Sequence, residues 1–278
     1  MAGAASSPTF DNRLSRRLVW FGELFVFIVR TVAAIPGVLR HHRDQVWAVL
    51  ADIAFGRGLV AVTASTVLAC LILSSSIGVQ IGLEGYQGLQ VIGLAPLAGF
   101  LSAFGNTREL APLITAFGLA AQMGGKFTAQ LGAMRISEEI DALEVMSVPS
   151  LPYLVSTRLV VALLAVGPLY LVGLSGAYLA TELTVTVFAH QGIGTYQHYF
   201  HAFLIPSEIG YSVLKVIVFA FVVTLVHCYY GFTASGGPEG VGQAAGRAIR
   251  ASIVLIAILD VLMTLLFWGT NIGIPITG

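Results

Sequence analysis

The chain of 278 residues is too apolar to be an ordinary soluble domain. Hydrophobic residues make up 56% of it and charged residues only 10%, whereas soluble domains carry about 25% charged residues. The 14 basic and 14 acidic residues give a formal net charge of zero, which argues against nucleic acid as a partner. Cys70 and Cys228 both lie in apolar runs and cannot form a disulfide framework or a CxxC metal site. The composition therefore indicates an integral membrane protein.

The N-terminal region, residues 1–45, is predicted to be a cytoplasmic segment that contains an interfacial amphipathic helix. Ser15-Arg16-Arg17 before an apolar stretch is typical of a secretory or twin-arginine signal, but Glu23 and Arg30 interrupt that stretch. An apolar stripe with 4-3-4-3-4 spacing favours a helix that lies in the headgroup region of the membrane. The stripe consists of Leu14, Leu18, Phe21, Phe25, Ile28 and Val32. The alternative is that this stripe packs on the protein's own core.

The remainder, residues 46–278, is predicted to be an all-α domain with five membrane-spanning helices, each needing about 20 apolar residues. The apolar segments are Leu59–Val79, Val91–Met123, Leu159–Ala180, Tyr211–Tyr230 and Ile249–Trp268. The second contains charged residues and a proline, so it is predicted to be either one long tilted helix or a broken, partly re-entrant one. Small residues such as Gly78-xxx-Gly82 and Gly173-xxx-Ala177 predict close helix packing, without indicating which helices meet.

Basic residues are concentrated on one side of these spans. Twelve of the 14 lie before span one, between spans two and three, or between spans four and five, whereas the loops Gln80–Gln90 and Thr181–Gly210 contain none. The positive-inside rule predicts a cytoplasmic N-terminus and an exoplasmic C-terminus. The aromatic residues of the second loop predict an interfacial helix. Its His198 and His201 lack a nearby Cys or carboxylate that would complete a metal site.

Charged residues inside the apolar segments are candidates for a functional site, because charge at membrane depth is costly unless it is paired or hydrated. Arg108 and Glu109 point about 100° apart on a helix, so each needs its own partner or water. Pro112 would bend the helix just after them, which predicts a polar break at a transport cavity or, alternatively, a helix boundary at the interface. Lys215 lies near the outer end of span four, where it could simply extend to the interface. A pair with Asp260, near the middle of span five, would require Lys215 to reach inward by about a turn.

The segment between spans two and three predicts a short amphipathic helix at about 137–148 on the cytoplasmic face. Ser137 can cap it, because acidic residues follow in the first turn, and Pro149 ends it. Its apolar stripe is predicted to be Ile140, Leu143 and Met146, and its acidic positions are Glu138, Glu139, Asp141 and Glu144. An exposed apolar ridge requires a groove to fill. The acidity disfavours the alternative of a helix lying on the lipid, since the inner leaflet is usually anionic.

No catalytic motif accompanies these features. The sequence has no GxxxxGK[ST] phosphate-binding loop, no HExxH and no GxSxG, so the chain is not expected to be an enzyme. No cofactor or metal is expected in this chain. If ATP drives transport, ATP and Mg²⁺ would bind a separate ATPase subunit.

Three sequence blocks together resemble the MlaE/YrbE family of ABC transporter permeases. They are Arg108-Glu-Leu-Ala-Pro112, Gly132-Ala-Met-Arg135 and Glu138-Glu-Ile-Asp-Ala-Leu-Glu-Val-Met146. Lys215 and Asp260 are also similar to the family, and the resemblance extends from about Arg43 to Trp268. The glycine-rich loop 236–242 resembles the actinobacterial YrbE branch that works with Mce proteins, and within it the B-type chain.

The resemblance implies two permease chains around a central lipid cavity, each bound to a cytoplasmic ATPase through a coupling helix at Glu138–Met146. Exoplasmic MCE-domain proteins would form a lipid tunnel above the permease. The implied function is movement of hydrophobic lipids, whether fatty acid, mycolic-type lipid, sterol or phospholipid, between the inner membrane and the cell envelope. Two alternatives remain: a proton-coupled secondary transporter that uses Glu109, Asp260 and Lys215, and a scaffold subunit that anchors envelope proteins.

The chain departs from the family pattern at Gln122 and Gln130, where many members carry an arginine and an acidic residue. Losing both charges costs less than losing one, because an unpaired charge in the membrane is unfavourable. We therefore predict that the two positions contact a common network, and that the chain forms a heterodimer with a non-identical permease.

Overall fold

The computed structural model describes residues 12–41, 43–54 and 61–269, which are almost entirely helical and contain no strand. The first three helices are α1 (Asn12–Ala33), α2 (Ile35–His41) and α3 (Arg43–Ala54), followed by α4 (Ala61–Gln80), α5 (Tyr86–Val91), α6 (Ala98–Leu101), α7 (Ala111–Leu119) and α8 (Gly125–Ile136). The remaining helices are α9 (Glu139–Val145), α10 (Thr157–Leu183), α11 (Ile193–Phe203), α12 (Pro206–Phe232) and α13 (Gly237–Trp268). The all-α prediction is confirmed.

Five helical segments of the described chain are long and apolar enough to cross a membrane. They are Gly22–Arg40, Val67–Val91, Pro152–Phe188, Pro206–Phe232 and Gly237–Trp268. The second overlaps predicted span one and the last three contain predicted spans three, four and five, whereas Gly22–Arg40 falls in the predicted N-terminal region 1–45. The second predicted span is helical too, but charged and polar residues lower its hydropathy below that of the others.

That second span is one long helix rather than a broken one. Helices α6, α7 and α8 are joined without interruption by π-helical turns at Ser102–Leu110 and Ala120–Gly124, and the run from 98 to 136 is roughly 58 Å long. Pro112 does not interrupt it, because the wider turn just before α7 already departs from α-helical hydrogen bonding. There the Ala111 N–H donates to the Asn106 carbonyl, five residues back.

The predicted span boundaries are wrong at several ends, mostly because the helices continue beyond their apolar middles. A π-helical turn at Ile81–Gly85 joins α4 to α5, so the predicted outer loop 80–90 is helical, and the second span begins at Ala98 rather than Val91. Helix α13 begins at Gly237, twelve residues before the predicted start. Hydropathy detects only the membrane-embedded part of a helix, whereas backbone hydrogen bonding continues into the polar ends.

Helices α4 and α10 are the pair brought together by small residues. A side chain at Gly78 would collide with the Ala177 carbonyl, and one at Gly82 would contact Thr184. The close approach lets the Thr181 hydroxyl donate to the Gly78 carbonyl at 2.9 Å, and the amide of Asn106 donates to the same hydroxyl at 3.1 Å. Such packing is typical of membrane bundles, where close contact rather than water exclusion holds helices together.

Helix α1 has one face on the protein and another that is open. Phe27 is buried against Tyr229 of α12, with ring centroids 5.3 Å apart, and the Ser156 hydroxyl donates to the Thr31 carbonyl at 2.8 Å. The predicted stripe is therefore not the contact face, since Phe25 is 67% exposed and Val32 is also exposed. The side chains of its other early members, Leu14, Leu18 and Phe21, lie outside the described residues. Placement of this helix in the membrane interface stays a prediction, and its contact with the core is made by residues outside the predicted stripe.

Candidate functional site

Three helices bring five charged side chains together at the end of the bundle remote from the α12–α13 turn. The π-helical turn before α7 carries two of them, α12 carries two, and α13 carries one: Arg108, Glu109, Glu208, Lys215 and Asp260. We call these five residues the charge cluster. Lys215 is nine residues from the start of α12 and Asp260 is eight residues from the end of α13. Because the two helices are antiparallel, these residues lie at nearly the same depth.

Arg108 forms a buried bidentate pair with Glu208. The arginine Nε donates to Glu208 Oε2 at 2.8 Å, and its Nη2 pairs with Glu208 Oε1. Both side chains are nearly inaccessible, and the guanidinium lies 3.9 Å from the centroid of the Phe104 ring. Planar two-point contact and a cation–π partner are the features that make a buried arginine pair strong.

Lys215 is completely buried and connects all three helices. Its Nζ lies 2.7 Å from Asp260 Oδ1 and donates to Glu109 Oε2 at 3.0 Å. It also donates to the Thr264 hydroxyl at 2.8 Å and to the Arg108 carbonyl at 3.0 Å. The Thr264 hydroxyl in turn donates to Glu109 Oε1 at 2.8 Å. The ammonium is therefore the centre of the cluster.

These contacts identify the partners of the four charged residues that the sequence places in apolar segments. Arg108 and Glu109 pair with different residues, in keeping with their divergent directions on the helix. The interpretation that Lys215 only extends to the interface is wrong, because its side chain is fully buried. The Lys215–Asp260 pair is present without any inward reach, because α12 begins at Pro206, five residues before the predicted start.

Glu208 is a cluster member that the sequence interpretation missed. It lies outside the predicted fourth span and was therefore assigned to the outer loop. Its position in the first turn of α12, after Pro206 at the helix start, is favourable for an acidic residue because of the helix dipole. Glu208 could have been found from Arg108, because a buried arginine requires a carboxylate at the same depth in the membrane.

The outer aromatic segment is helical, as the sequence predicts, and forms α11. Its Tyr196 is buried beside Gly99 of α6, and burial raises the pKa of the phenol. The His201 ring lies 2.8 Å from the Gln197 carbonyl, within its own helix. Within the ranges 12–41, 43–54 and 61–269, no group of three potential metal ligands occurs.

The predicted cytoplasmic helix is present as α9, but it is shorter and turned differently from the prediction. It spans Glu139–Val145 rather than 137–148. Ser137 does not cap it, since its hydroxyl donates back to the Ala133 carbonyl at 2.9 Å, and Glu138 adopts a left-handed φ of 61° before the helix starts. A left-handed residue breaks the helical path, so α8 and α9 are separate elements.

The apolar ridge of α9 is also different from the prediction. Ile140 is completely buried in the protein's own core and Leu143 packs against that core. The apolar side chains that face outward are Val145, 86% exposed, and Met146, 63% exposed. We call these two residues the α9 knob. The predicted stripe failed because its first two members anchor the helix to the bundle.

The acidic residues of α9 are exposed, and two of them have fixed partners. Arg135 Nη1 pairs with Asp141 Oδ1 at 2.6 Å, and the Ser150 hydroxyl donates to Glu144 Oε1 at 2.7 Å. The Val148 N–H donates to the Leu143 carbonyl at 2.9 Å. The segment is therefore held at both ends, with its acidic side and the α9 knob outward.

The two glutamines at altered family positions lie in different surroundings. Gln122 is exposed on the second π-helical turn. Gln130 is half-buried, and its Oε1 accepts a long hydrogen bond of 3.4 Å from Nη2 of the buried Arg158. Contact of both positions with one network stays a prediction.

A search for known families matches residues 55–266 to the permease MlaE model. The chain belongs to the MlaE permease family. This MlaE-family chain is therefore the multi-pass membrane subunit of a transporter, and its matched region includes the charge cluster and α9.

Individual relatives agree with that membership. The chain is 30% identical to "Protein TRIGALACTOSYLDIACYLGLYCEROL 1, chloroplastic" of Arabidopsis thaliana over 72% of this chain and 57% of that protein. It is 29% identical to a "Probable ABC transporter permease protein" of Rickettsia bellii over 69% of this chain and 74% of the relative. A Synechocystis protein named as a probable ABC transporter permease is 26% identical over 72% of this chain and 77% of that protein. The MlaE-family chain thus spans little more than half the length of the Arabidopsis relative.

Proposed function

We propose that the chain is the membrane-spanning subunit of an ABC-type lipid transporter, driven by a separate ATPase that binds ATP and Mg²⁺. The observation that carries this proposal is the family match over residues 55–266. Relatives named as ABC transporter permeases support the ATP-driven class. The name of the Arabidopsis relative contains that of a galactolipid, which supports a lipid as the transported molecule.

The partly open charge cluster supports a cavity for that lipid. Four of its members are largely or wholly enclosed, but the Glu109 side chain is 36% exposed. A carboxylate at membrane depth is unfavourable against hydrocarbon, so this face requires water or another protein chain beside it. A cavity between two permease chains meets that requirement, and a lipid headgroup there would meet polar groups while its acyl chains meet the apolar bundle.

The second permease in this proposal is a non-identical chain. The basis is the simultaneous absence of charge at Gln122 and Gln130, which a partner retaining those charges would complement. The same proposal includes exoplasmic MCE-domain proteins, an actinobacterial B-type identity and placement in the inner membrane with a cytoplasmic N-terminus. The substrate classes it allows are fatty acids, mycolic-type lipids, sterols and phospholipids, moved between that membrane and the cell envelope.

Helix α9 is the proposed coupling element to the ATPase. Its α9 knob is the kind of apolar projection that fills a groove in a partner. The surrounding carboxylates, with Glu138, Glu139 and Asp141 exposed, favour a groove bordered by basic residues. The buried Ile140 fixes the orientation of the projection relative to the membrane bundle.

The experiment is purification of the intact complex through a tag on this chain, followed by lipid transfer from labelled vesicles. We expect an ATPase subunit and a second permease in the purified complex, and lipid transfer that requires ATP. Absence of any ATPase from an otherwise intact complex would contradict the proposal. Transfer that persists without ATP but follows a proton gradient would favour the secondary-transport alternative.

A further inference from the structure

The charge cluster has more carboxylates than cations. Among the residues described, Arg108 and Lys215 supply two positive charges, whereas Glu109, Glu208 and Asp260 supply three carboxyl groups. If all five were ionised, the site would carry one uncompensated negative charge. At membrane depth such a charge is costly, so a neutral form of the cluster is strongly favoured.

The excess lies on the Lys215 side of the cluster. Glu208 has a bidentate arginine of its own, whereas Glu109 and Asp260 must share one ammonium. Their nearest oxygens contact the same nitrogen at 3.0 and 2.7 Å. The two carboxyl groups therefore lie within the roughly 4–6 Å over which like charges oppose each other's ionisation.

A hydrogen bond between two carboxyl groups requires a proton, because ionised carboxylates are only acceptors. Two carboxyl groups held together in an apolar site characteristically keep one proton between them. The Thr264 hydroxyl already donates to Glu109 Oε1, and Lys215 donates to Glu109 Oε2. Among the described residues, the buried Asp260 Oδ1 has no hydrogen-bond partner, although it lies 2.7 Å from Lys215 Nζ.

We propose that Glu109 and Asp260 form a proton-binding site that holds one shared proton at neutral pH. The proton comes from water on the open side of Glu109 and forms an O–H bond on one carboxylate oxygen, leaving the cluster electrically neutral. Its loss returns one negative charge to the site, on the side chain that faces the exterior of this protomer. The net charge of the charge cluster therefore depends on whether water reaches Glu109.

The other titratable groups of the neighbouring helices are too far away or already engaged. Tyr211, one turn before Lys215, stacks its ring on Phe267 of α13 at 5.3 Å. The hydroxyls of Tyr170 and Tyr178 on α10 are hydrogen-bonded to Ser212 and Thr107, respectively. His227 of α12 is about 18 Å along the helix from Lys215, and Lys126 of α8 is about 25 Å along its helix from Glu109. Among the described residues, the proton balance of the site therefore depends on the five members of the charge cluster.

Infrared spectroscopy of the intact complex in lipid nanodiscs tests this proposal directly. A protonated side-chain carboxyl absorbs at higher frequency than a carboxylate and shifts on exchange into D₂O. Difference spectra at pH 7 between the wild type and Asp260→Asn, and between the wild type and Glu109→Gln, should each show loss of one protonated-carboxyl band. Both variants lose it, because either substitution leaves the remaining carboxylate alone with Lys215.

Glu84→Gln is the matched control, since Glu84 is exposed and lies outside the cluster; its difference spectrum should lack the band. Absence of a protonated-carboxyl difference in both cluster variants would overturn the proposal, and loss in only one would overturn sharing of the proton. Titration of the wild type to high pH gives a test without substitution: the same band should disappear reversibly. A pH-independent band would contradict the proposal. None of these readouts depends on lipid transport or on the ATPase.

Discussion

The charge cluster and α9 lie toward opposite ends of the long helix and use charged residues in opposite ways. In the cluster, each cation is buried and pairs with carboxyl groups from other helices. At α9, the Arg135–Asp141 pair is local in sequence and exposed. Burial removes the competition and screening by water, so cluster pairs are sensitive to loss of one partner, whereas the exposed pair contributes little to stability. One region therefore holds the bundle together, and the other is free to bind a partner.

Lys215→Met should have the largest effect, because it leaves the Glu109 and Asp260 carboxyl groups without their shared cation. Removal of one partner from a buried pair costs about 3–5 kcal/mol, so we expect little intact complex and a strongly lowered Tm in thermal unfolding. The double variant Lys215→Met/Asp260→Asn should recover part of the loss, since it removes one of the two carboxyl groups that the single variant leaves without a cation. A wild-type Tm for the single variant would contradict the central role of Lys215.

Glu208→Ala should have a large but smaller effect, of roughly 3 kcal/mol, because Arg108 loses its carboxylate but keeps its contact with Phe104. Glu208→Gln should be milder, since an amide oxygen can still accept one hydrogen bond. The measurement is again Tm, with Glu182→Gln as the control, because Glu182 accepts a hydrogen bond from Gln197 at an exposed site. If the Glu208→Ala and Glu182→Gln variants have the same Tm, the buried Arg108–Glu208 pair does not stabilise the protein.

Val145→Asp/Met146→Asp should release the ATPase while leaving the Tm of the permease nearly unchanged. The α9 knob is exposed and contributes little to the packing of the bundle core. Its replacement therefore removes apolar contacts only with the partner. We expect at least a tenfold fall in ATPase recovered with the tagged chain. Val91→Asp/Ile92→Asp is the matched control, because these two residues are equally apolar and exposed, Val91 to 87%, beyond the opposite end of the long helix.

Retention of the ATPase by the α9 knob variant, or equal loss in its control, would remove the basis for the coupling role. A charge-reversal variant, Glu138→Lys/Glu139→Lys, tests the acidic side of α9 separately. It should weaken ATPase binding more at low salt than at high salt, because screening reduces the repulsion from a basic groove.

Asp141→Asn should have the smallest effect on stability. Its ion pair with Arg135 is exposed, and such pairs contribute about 0–1 kcal/mol. The expected result is a shift in Tm of no more than a few degrees, against a much larger shift for Lys215→Met under the same conditions. Comparable shifts for the two variants would erase the contrast between the buried and exposed regions.

Sequence analysis selected four of the five charged residues that the structure brings together, and it missed the one whose depth depends on where a helix begins. Charge inside an apolar run was enough to select Arg108, Glu109, Lys215 and Asp260, because hydrocarbon does not tolerate unpaired charge. Glu208 was not selected, because its depth in the membrane depends on the residue at which α12 begins. In α9 the acidic pattern was recognised, but which apolar side chains point outward depends on how Ile140 packs.

By itself, the sequence determined the all-α membrane class and the segments that carry chemistry, because low charge and long apolar runs are local properties. It also indicated that Gly78 and Gly173 lie at close helix contacts. Only the tertiary structure decided that α4 meets α10, that Glu208 pairs with Arg108, and that two carboxyl groups share Lys215. These outcomes depend on the relative depth and rotation of helices far apart in the chain, and those are set by packing of the whole bundle rather than by any single segment.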